Sequence, residues 1–297
     1  MPRLHLKLTL LIAIVAWASA LPAQDMALNG VLIDGQDWQL VAEGFKFTEG
    51  PAVDAEGNVF FTDIPNSRIH KVDVSTGKVS VFAENTGGAN GLMFGPDGKL
   101  YACQNEKKQI GAFDPQGRVE VIASGVQSND LVVAANGAIF FTDPPGGRVW
   151  HISPEREKKV VAEGLKPNGL VLWQQGGTLV VTDGMDANLW TFRVEAGGAL
   201  TGKERYYGPL QLPTRADRPG SDGMTIDAQG RLYVTTRAGL QVFDPIGRLS
   251  GSILKPHAGP LSNVCFGGKD LKTLYVTAGD KVFKRNVQAS GFRYGMK

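Results

Sequence analysis

The sequence predicts an all-β fold, a six-bladed β-propeller of four-stranded blades whose ring is closed by an N-terminal strand. Three observations predict it. Short runs of β-branched and aromatic residues, separated by Gly, Asp and Asn turns, recur to the end of the chain, and no segment carries a long apolar stripe of helical period. The chain aligns with itself at about forty residues, the range of four-stranded propeller blades. The last copy lacks a fourth strand, and a segment ahead of the first copy can supply one.

Each copy opens on a polar residue, runs through a short apolar strand, turns on a Gly-containing loop and continues into an aliphatic-aromatic strand. The six are EGPAVDAEGNVFFTD from Glu49, NGLMFGPDGKLYACQ from Asn90, NDLVVAANGAIFFTD from Asn129, NGLVLWQQGGTLVVTD from Asn168, DGMTIDAQGRLYVTT from Asp222 and NVCFGGKDLKTLYVTA from Asn263. Their starts are 41, 39, 39, 54 and 41 residues apart. Third strands follow as RIHKVD, QIGAFD, RVWHIS, LWTFRV, LQVFD and KVFKRN, and fourth strands as KVSVFAE, RVEVIAS, KKVVAEG, KERYYG and RLSGSIL. Residues 38–44, WQLVAEG, resemble KKVVAEG and are expected to complete the sixth blade, which leaves no open sheet edge. Two β-sandwiches in tandem would not give this uniform repeat with its missing strand at the other end.

The remaining composition bounds the partners. Lys plus Arg is 31 against 29 Asp plus Glu in 297 residues, a formal charge of +2 and no basic field for nucleic acid. Arg3 and Lys7, an apolar run from Leu8 to Trp17 and small residues at Ala18, Ala20 and Ala23 read as a signal peptide over 1–23, ahead of a single propeller domain over 24–297. The expected destination is therefore periplasmic or secreted, with no membrane attachment after cleavage. Cys103 and Cys265 lie in apolar strand runs and are expected to be buried free thiols.

In a blade the first strand lines the central channel and the second runs back, so first-strand starts and second-strand ends share one face. The starts are Glu49, Asn90, Asn129, Asn168, Asp222 and Asn263; the ends are Asp63, Gln104, Asp143, Asp183, Thr236 and Ala278. One Asn or Asp before Gly is ordinarily a turn residue. Six polar groups at equivalent places in a ring point at one axis and mark a ligand site. The ring offers carboxylate and amide oxygens without Cys, and no His stands at a strand start, so it suits a hard cation: calcium first, then magnesium or manganese, with zinc less natural.

The segments TEGPAVDAEGNVFFTD, SNDLVVAANGAIFFTDPP, KPNGLVLWQQGGTLVVTD, SDGMTIDAQGRLYVTT and LSNVCFGGKDLKTLYVTA resemble the family of senescence marker protein, gluconolactonase and luciferin-regenerating enzyme, over roughly residues 47–286. The resemblance implies one catalytic divalent cation held by Glu49, Asn168 and Asp222, with Asp222 also the general base. It places Asn129 toward substrate or the metal's surroundings. Asn90, in the same ring, and Asp143, heading TDPP, are taken as substrate-facing. The implied activity is metal-dependent hydrolysis of a small lactone or cyclic ester. Two departures concern substrate: Gln127-Ser128 replaces the Arg-Pro frequent in sugar-lactone members, and Gly146 replaces the usual Tyr after TDPP.

Two alternatives stand beside that reading: a phosphotriesterase resembling diisopropyl fluorophosphatase, and a non-catalytic secreted binding propeller. The long interval before Asp222 holds RYYGPLQLPTRADRPGS, where Tyr206, Tyr207, Arg215 and Arg218 are candidates for a substrate wall or an ordinary solvated loop. GGALTGKE from Gly197 lacks the Ser or Thr of a phosphate loop and reads as a hairpin, and no G-x-S-x-G elbow supports a serine hydrolase. His257 precedes the sixth blade and is the one histidine within reach of the mouth.

Overall fold

The structure is a computed structural model that describes residues 28–294, so the expected leader over 1–23 lies outside the described residues. The described strands form six four-stranded antiparallel sheets. Five are built from consecutive strands, with first strands Thr48–Val53, Ala89–Phe94, Leu131–Val133, Pro167–Leu172 and Met224–Ile226. The sixth takes Asn263–Gly267, Thr273–Ala278 and Lys281–Asn286, then gains Gln39–Glu43 as its outer strand, with Gln39 paired to Lys284 and Glu43 to Lys281. No helix among the described residues is long and apolar enough to cross a membrane.

The strand sequences follow their place in the blade. Second strands such as VFFTD, IFFTD and LYVTT are buried at every residue because a neighbouring blade covers each face. Outer strands such as Val119–Ser124 stay partly or fully exposed along their length. Aromatic pairs fill the gaps between and within blades: Phe60 meets Phe82 and Phe94 edge to face at 5.0 and 5.1 Å.

A hydroxyl near the end of the second strand ties blades together. Thr62 Oγ1 donates to Asn90 O at 3.2 Å, Thr142 Oγ1 to Asn168 O at 2.6 Å and Thr235 Oγ1 to Ser262 O at 3.0 Å, each reaching the next blade. Ser262 Oγ carries the link from blade six to blade one, donating to Thr48 O at 2.9 Å. Cys103 holds the equivalent position in blade two; it and Cys265 are buried and free.

Both ends of the described chain reinforce the ring. Trp38 Nε1 donates to Leu254 O at 2.8 Å, and Val31 is buried in the core shared by blades five and six. At the other end Phe292 N–H donates to Ile226 O at 3.1 Å beside a bridge between Asp227 and Gly291. Blade four differs from expectation: its outer strand is Leu200–Arg205, not KERYYG. Tyr206 and Tyr207 therefore leave the strand, and Tyr207 packs 5.9 Å from both Trp173 and Phe243.

Candidate metal and substrate site

The channel mouth owes its polar lining to a bulge repeated at the head of the first strand. In blade one Glu49 pairs with Thr62, then the register slips before Ala52 meets Phe60. The same slip falls between Ala89 and Leu92 and between Pro167 and Leu170. In blade three Asn129 N–H donates to Thr142 O while Thr142 N–H donates to Asp130 O; in blade five Asp222 and Gly223 share Thr235 in the same way. Two residues face one, so two successive positions turn toward the channel instead of alternating.

Blade six follows this pattern one residue earlier than the sequence alignment has it. Ser262, not Asn263, donates its N–H to Thr277 O and receives the latch from Thr235. The upper tier is therefore Glu49, Asn90, Asn129, Asn168, Asp222 and Ser262, and the tier beneath is Gly50, Gly91, Asp130, Gly169, Gly223 and Asn263. A third tier, Pro51, Leu92, Leu131, Leu170, Met224 and Val264, lines a cavity of about 90 Å³ that Phe292 and Tyr294 also line.

Glycine in the second tier is a matter of space. A Cβ on Gly91 would lie 2.3 Å from Asp130 Oδ1, and one on Gly223 would lie 1.9 Å from the Asn263 amide. The vacated volume lets Asp130 and Asn263 meet: Asn263 Nδ2 stands 3.3 Å from Asp130 Oδ2 and 3.3 Å from Glu49 Oε2. Each second-tier side chain also accepts from the next backbone N–H, Leu131 at 2.9 Å and Val264 at 2.8 Å, which fixes its rotamer. Glu49 Oε2 accepts from Gly50 N–H as well.

Three carboxylates thus crowd a desolvated space. Burial raises the pKa of Glu49 well above its ordinary value, and Asp222 and then Asp130 push it further. Burial, then Asp130, does the same to Asp222. Burial lifts Asp130 to about 7, against the hydrogen bonds from Leu131 and Asn263. In the upper tier the Oδ1 atoms of Asn90 and Asn168 are buried with no hydrogen-bond partner among the described residues. Unpaired buried acceptors beside mutually repelling carboxylates are chemically suited to an oxygen-ligated cation. Among the described residues no three His, Cys, Asp or Glu side chains form a metal cage by themselves, so a cation here needs the amide oxygens.

Other sequence-derived candidates take different places. Asp143 does not join the ring: its carboxylate accepts from Gly146 N–H at 2.8 Å and Trp150 Nε1 at 3.3 Å, bracing its own loop. Asp63 and Asp183 likewise accept from Lys46 and Lys166 N–H, because the last residue of the second strand alternates away from the face its Thr uses. Asn129 stands in the upper tier with its amide half-buried. Ser262 offers nothing to a ligand, its hydroxyl being committed to Thr48 and Thr277. His257 braces a loop, with Nε2 3.0 Å from Ala278 O and Nδ1 accepting from Gly259 N–H. Tyr207 is buried in blade packing, whereas Tyr206 is exposed with its ring edge-on to Tyr207 at 5.0 Å.

Asp130 is the site residue that sequence reasoning missed. Its signal lay in the repeat, since blade three reads Asn-Asp where blades two and four read Asn-Gly. Aligning on the apolar residue that follows, Leu92, Leu131, Leu170, Met224 and Val264, would also have paired Asn263 with Asp130.

Comparison with known proteins agrees with this architecture. The family described as SMP-30/Gluconolactonase/LRE-like region matches residues 47–280. A gluconolactonase of Zymomonas mobilis is 28% identical over 312 residues, covering 89% of this chain and 85% of its own. A pentonolactonase of Haloferax volcanii is 26% identical, covering 80% and 84%. Among solved structures, a gluconolactonase from Xanthomonas campestris superposes with a TM-score of 0.77 at 26% identity, covering 88% and 92%.

Proposed function

The chain belongs to the SMP-30/gluconolactonase/LRE-like family, and from that premise we propose that it is a metal-dependent hydrolase of lactones. The observation that carries the reading is the upper polar tier at the channel mouth, where Glu49, Asp222 and the amide oxygens of Asn90 and Asn168, unpartnered among the described residues, converge. Its relatives named for gluconolactone and pentonolactone hydrolysis support the substrate class.

Glu49, Asn168 and Asp222 would hold the cation, with calcium the best match to oxygen-only donors and magnesium or manganese next. When bound, it supplies Lewis-acid polarisation of the ester carbonyl and counter-charge for the developing oxyanion. Asn90 and Asn129 present amides to the lactone ring. Asp222, whose carboxylate receives no donor among the described residues, orients water and accepts its proton as the oxygen attacks the carbonyl carbon. The ring C–O bond then breaks, and that proton passes to the departing alkoxide to give a hydroxy acid. Asn263 and Asp130 act as positioning residues beneath, since Asn263 Nδ2 fixes one Glu49 oxygen at 3.3 Å. Export under the leader over 1–23 belongs to the same proposal.

The test is proton release from neutral sugar, aliphatic and aromatic lactones and an organophosphate by chelator-stripped protein, before and after calcium. Calcium-restored lactone turnover, lost in an Asp222→Asn variant that still unfolds cooperatively, is expected. Preference for the organophosphate would move the reading to a phosphotriesterase. Full turnover in Asp222→Asn would remove Asp222 from its role.

A further inference from the structure

We propose that the preferred substrate is an anionic lactone, carrying a carboxylate or phosphate away from its scissile ester, and that Lys166 and Arg218 bind that anion. The inference rests on the lactonase reading and adds the substrate's charge. The two cations precede tier residues of neighbouring blades: Lys166 lies two residues ahead of Asn168, and Arg218 four ahead of Asp222.

Both lie beside residues 183–185 at the end of the second strand of blade four. Lys166 N–H donates to Asp183 Oδ2 at 3.0 Å, and Gly184 N–H donates to Lys166 O at 3.1 Å. Ser221 Oγ, just before Asp222, donates to Asp183 O at 3.1 Å. Arg218 Nη1 lies 3.1 Å from Met185 Sδ. The half-buried guanidinium is set against a thioether, a weak acceptor, and has no ion pair among the described residues, so most of its five donors are open to a ligand. Lys166 is exposed and has no ion pair among the described residues.

Two of the three carboxylates nearby are matched by other arginines, and the third, Asp183, is turned to neutral N–H donors. Asp183 is held by the N–H groups of Lys166 and Met185 and by Trp190 Nε1. Asp186 is engaged by Arg205 through Nε at 2.9 Å and Nη2 at 2.7 Å. Asp217 is 3.8 Å from Arg237. Lys166, Met185, Asp183 and Asp186 line an open pocket of about 640 Å³ between blades three and four, with Pro145, Gly146 and Gly147 on its far side and Arg218 reaching it through Met185. That volume falls within the range of small-molecule sites, roughly 300–1,000 Å³.

The experiment compares kcat/KM for three δ-lactones of one carbon skeleton, neutral, carboxylate-bearing and phosphate-bearing, in wild type, Lys166→Gln, Arg218→Gln and the double variant. Wild type should favour an anionic lactone, and the double variant should reduce the anionic-to-neutral ratio about tenfold or more, the scale of one lost charge-assisted hydrogen bond. High salt should shrink the wild-type preference. The anion with the larger loss identifies the group recognised. Equal use of neutral and anionic lactones by wild type, or equal losses for both in the variants, would overturn the proposal while leaving the lactonase reading intact. If no lactone turns over, that reading falls. Calorimetry then decides the anion site alone, a polyol phosphate binding more tightly than its parent polyol to wild type and losing that advantage in the double variant, or showing none and refuting it.

Discussion

Asn263→Ala probes the polar floor of the site directly. Its amide nitrogen is shared between Glu49 and Asp130 at 3.3 Å each, the long end of hydrogen bonding. At that length the two bonds contribute about 1 kcal/mol together, and leaving two buried carboxylates without this donor costs about 1–3 kcal/mol more. A loss of about 3 kcal/mol in a chain of this size lowers the melting temperature by roughly 6–12 °C. The assay is calorimetric melting of chelator-stripped protein, with Asn263→Leu as companion, since Leu keeps the volume and deletes the donor. Both variants should fall by similar amounts, and lactone turnover should drop as Glu49 loses its anchor. A leucine variant as stable as wild type would show that Asn263 fills space and does not bridge charge, refuting the argument for a second polar tier.

Gly223→Ala should destabilise the protein far more than Gly184→Ala, because the added methyl meets the Asn263 amide at 1.9 Å in one case and nothing within 4 Å in the other; paired denaturant melts check it. Thr142→Val removes the hydroxyl that donates to Asn168 O at 2.6 Å and should cost about 1 kcal/mol, read as a lower denaturant midpoint at constant slope. His151 and His70 have pKa values lowered, chiefly by burial. The unfolded chain therefore binds protons that the folded chain refuses, and stability present above the ordinary value of 6.5 is lost as pH falls below it. His151→Gln should flatten the change in melting temperature between about pH 7 and 5.5 relative to wild type, the region around the unperturbed histidine pKa.

The blades were legible because each rests on local chemistry written several times over. Period-two strands such as VFFTD and LYVTT, Gly-containing turns and a polar opening residue recur at near-constant spacing, and residues 38–44 carry the signature of an outer strand. Pseudo-symmetry then turned one observation, a polar residue at a strand head, into the ring of Glu49, Asn90, Asn129, Asn168 and Asp222.

What the tertiary structure alone decided is which side chains reach the axis and at what depth. That depends on the bulge, and the bulge is set by hydrogen bonds from a Thr on another strand and from the neighbouring blade, contacts far apart in sequence. Asp130 enters the site because Gly91 vacates the adjacent blade, and Asn263 sits a tier lower because Ser262 takes the latch. Asp143 and Tyr207 carried the right chemistry for a mouth, but loop bracing and blade packing claimed them. Composition and repeat thus determined the fold and the ring of polar groups, whereas inter-blade hydrogen bonding and steric room selected the members of the site.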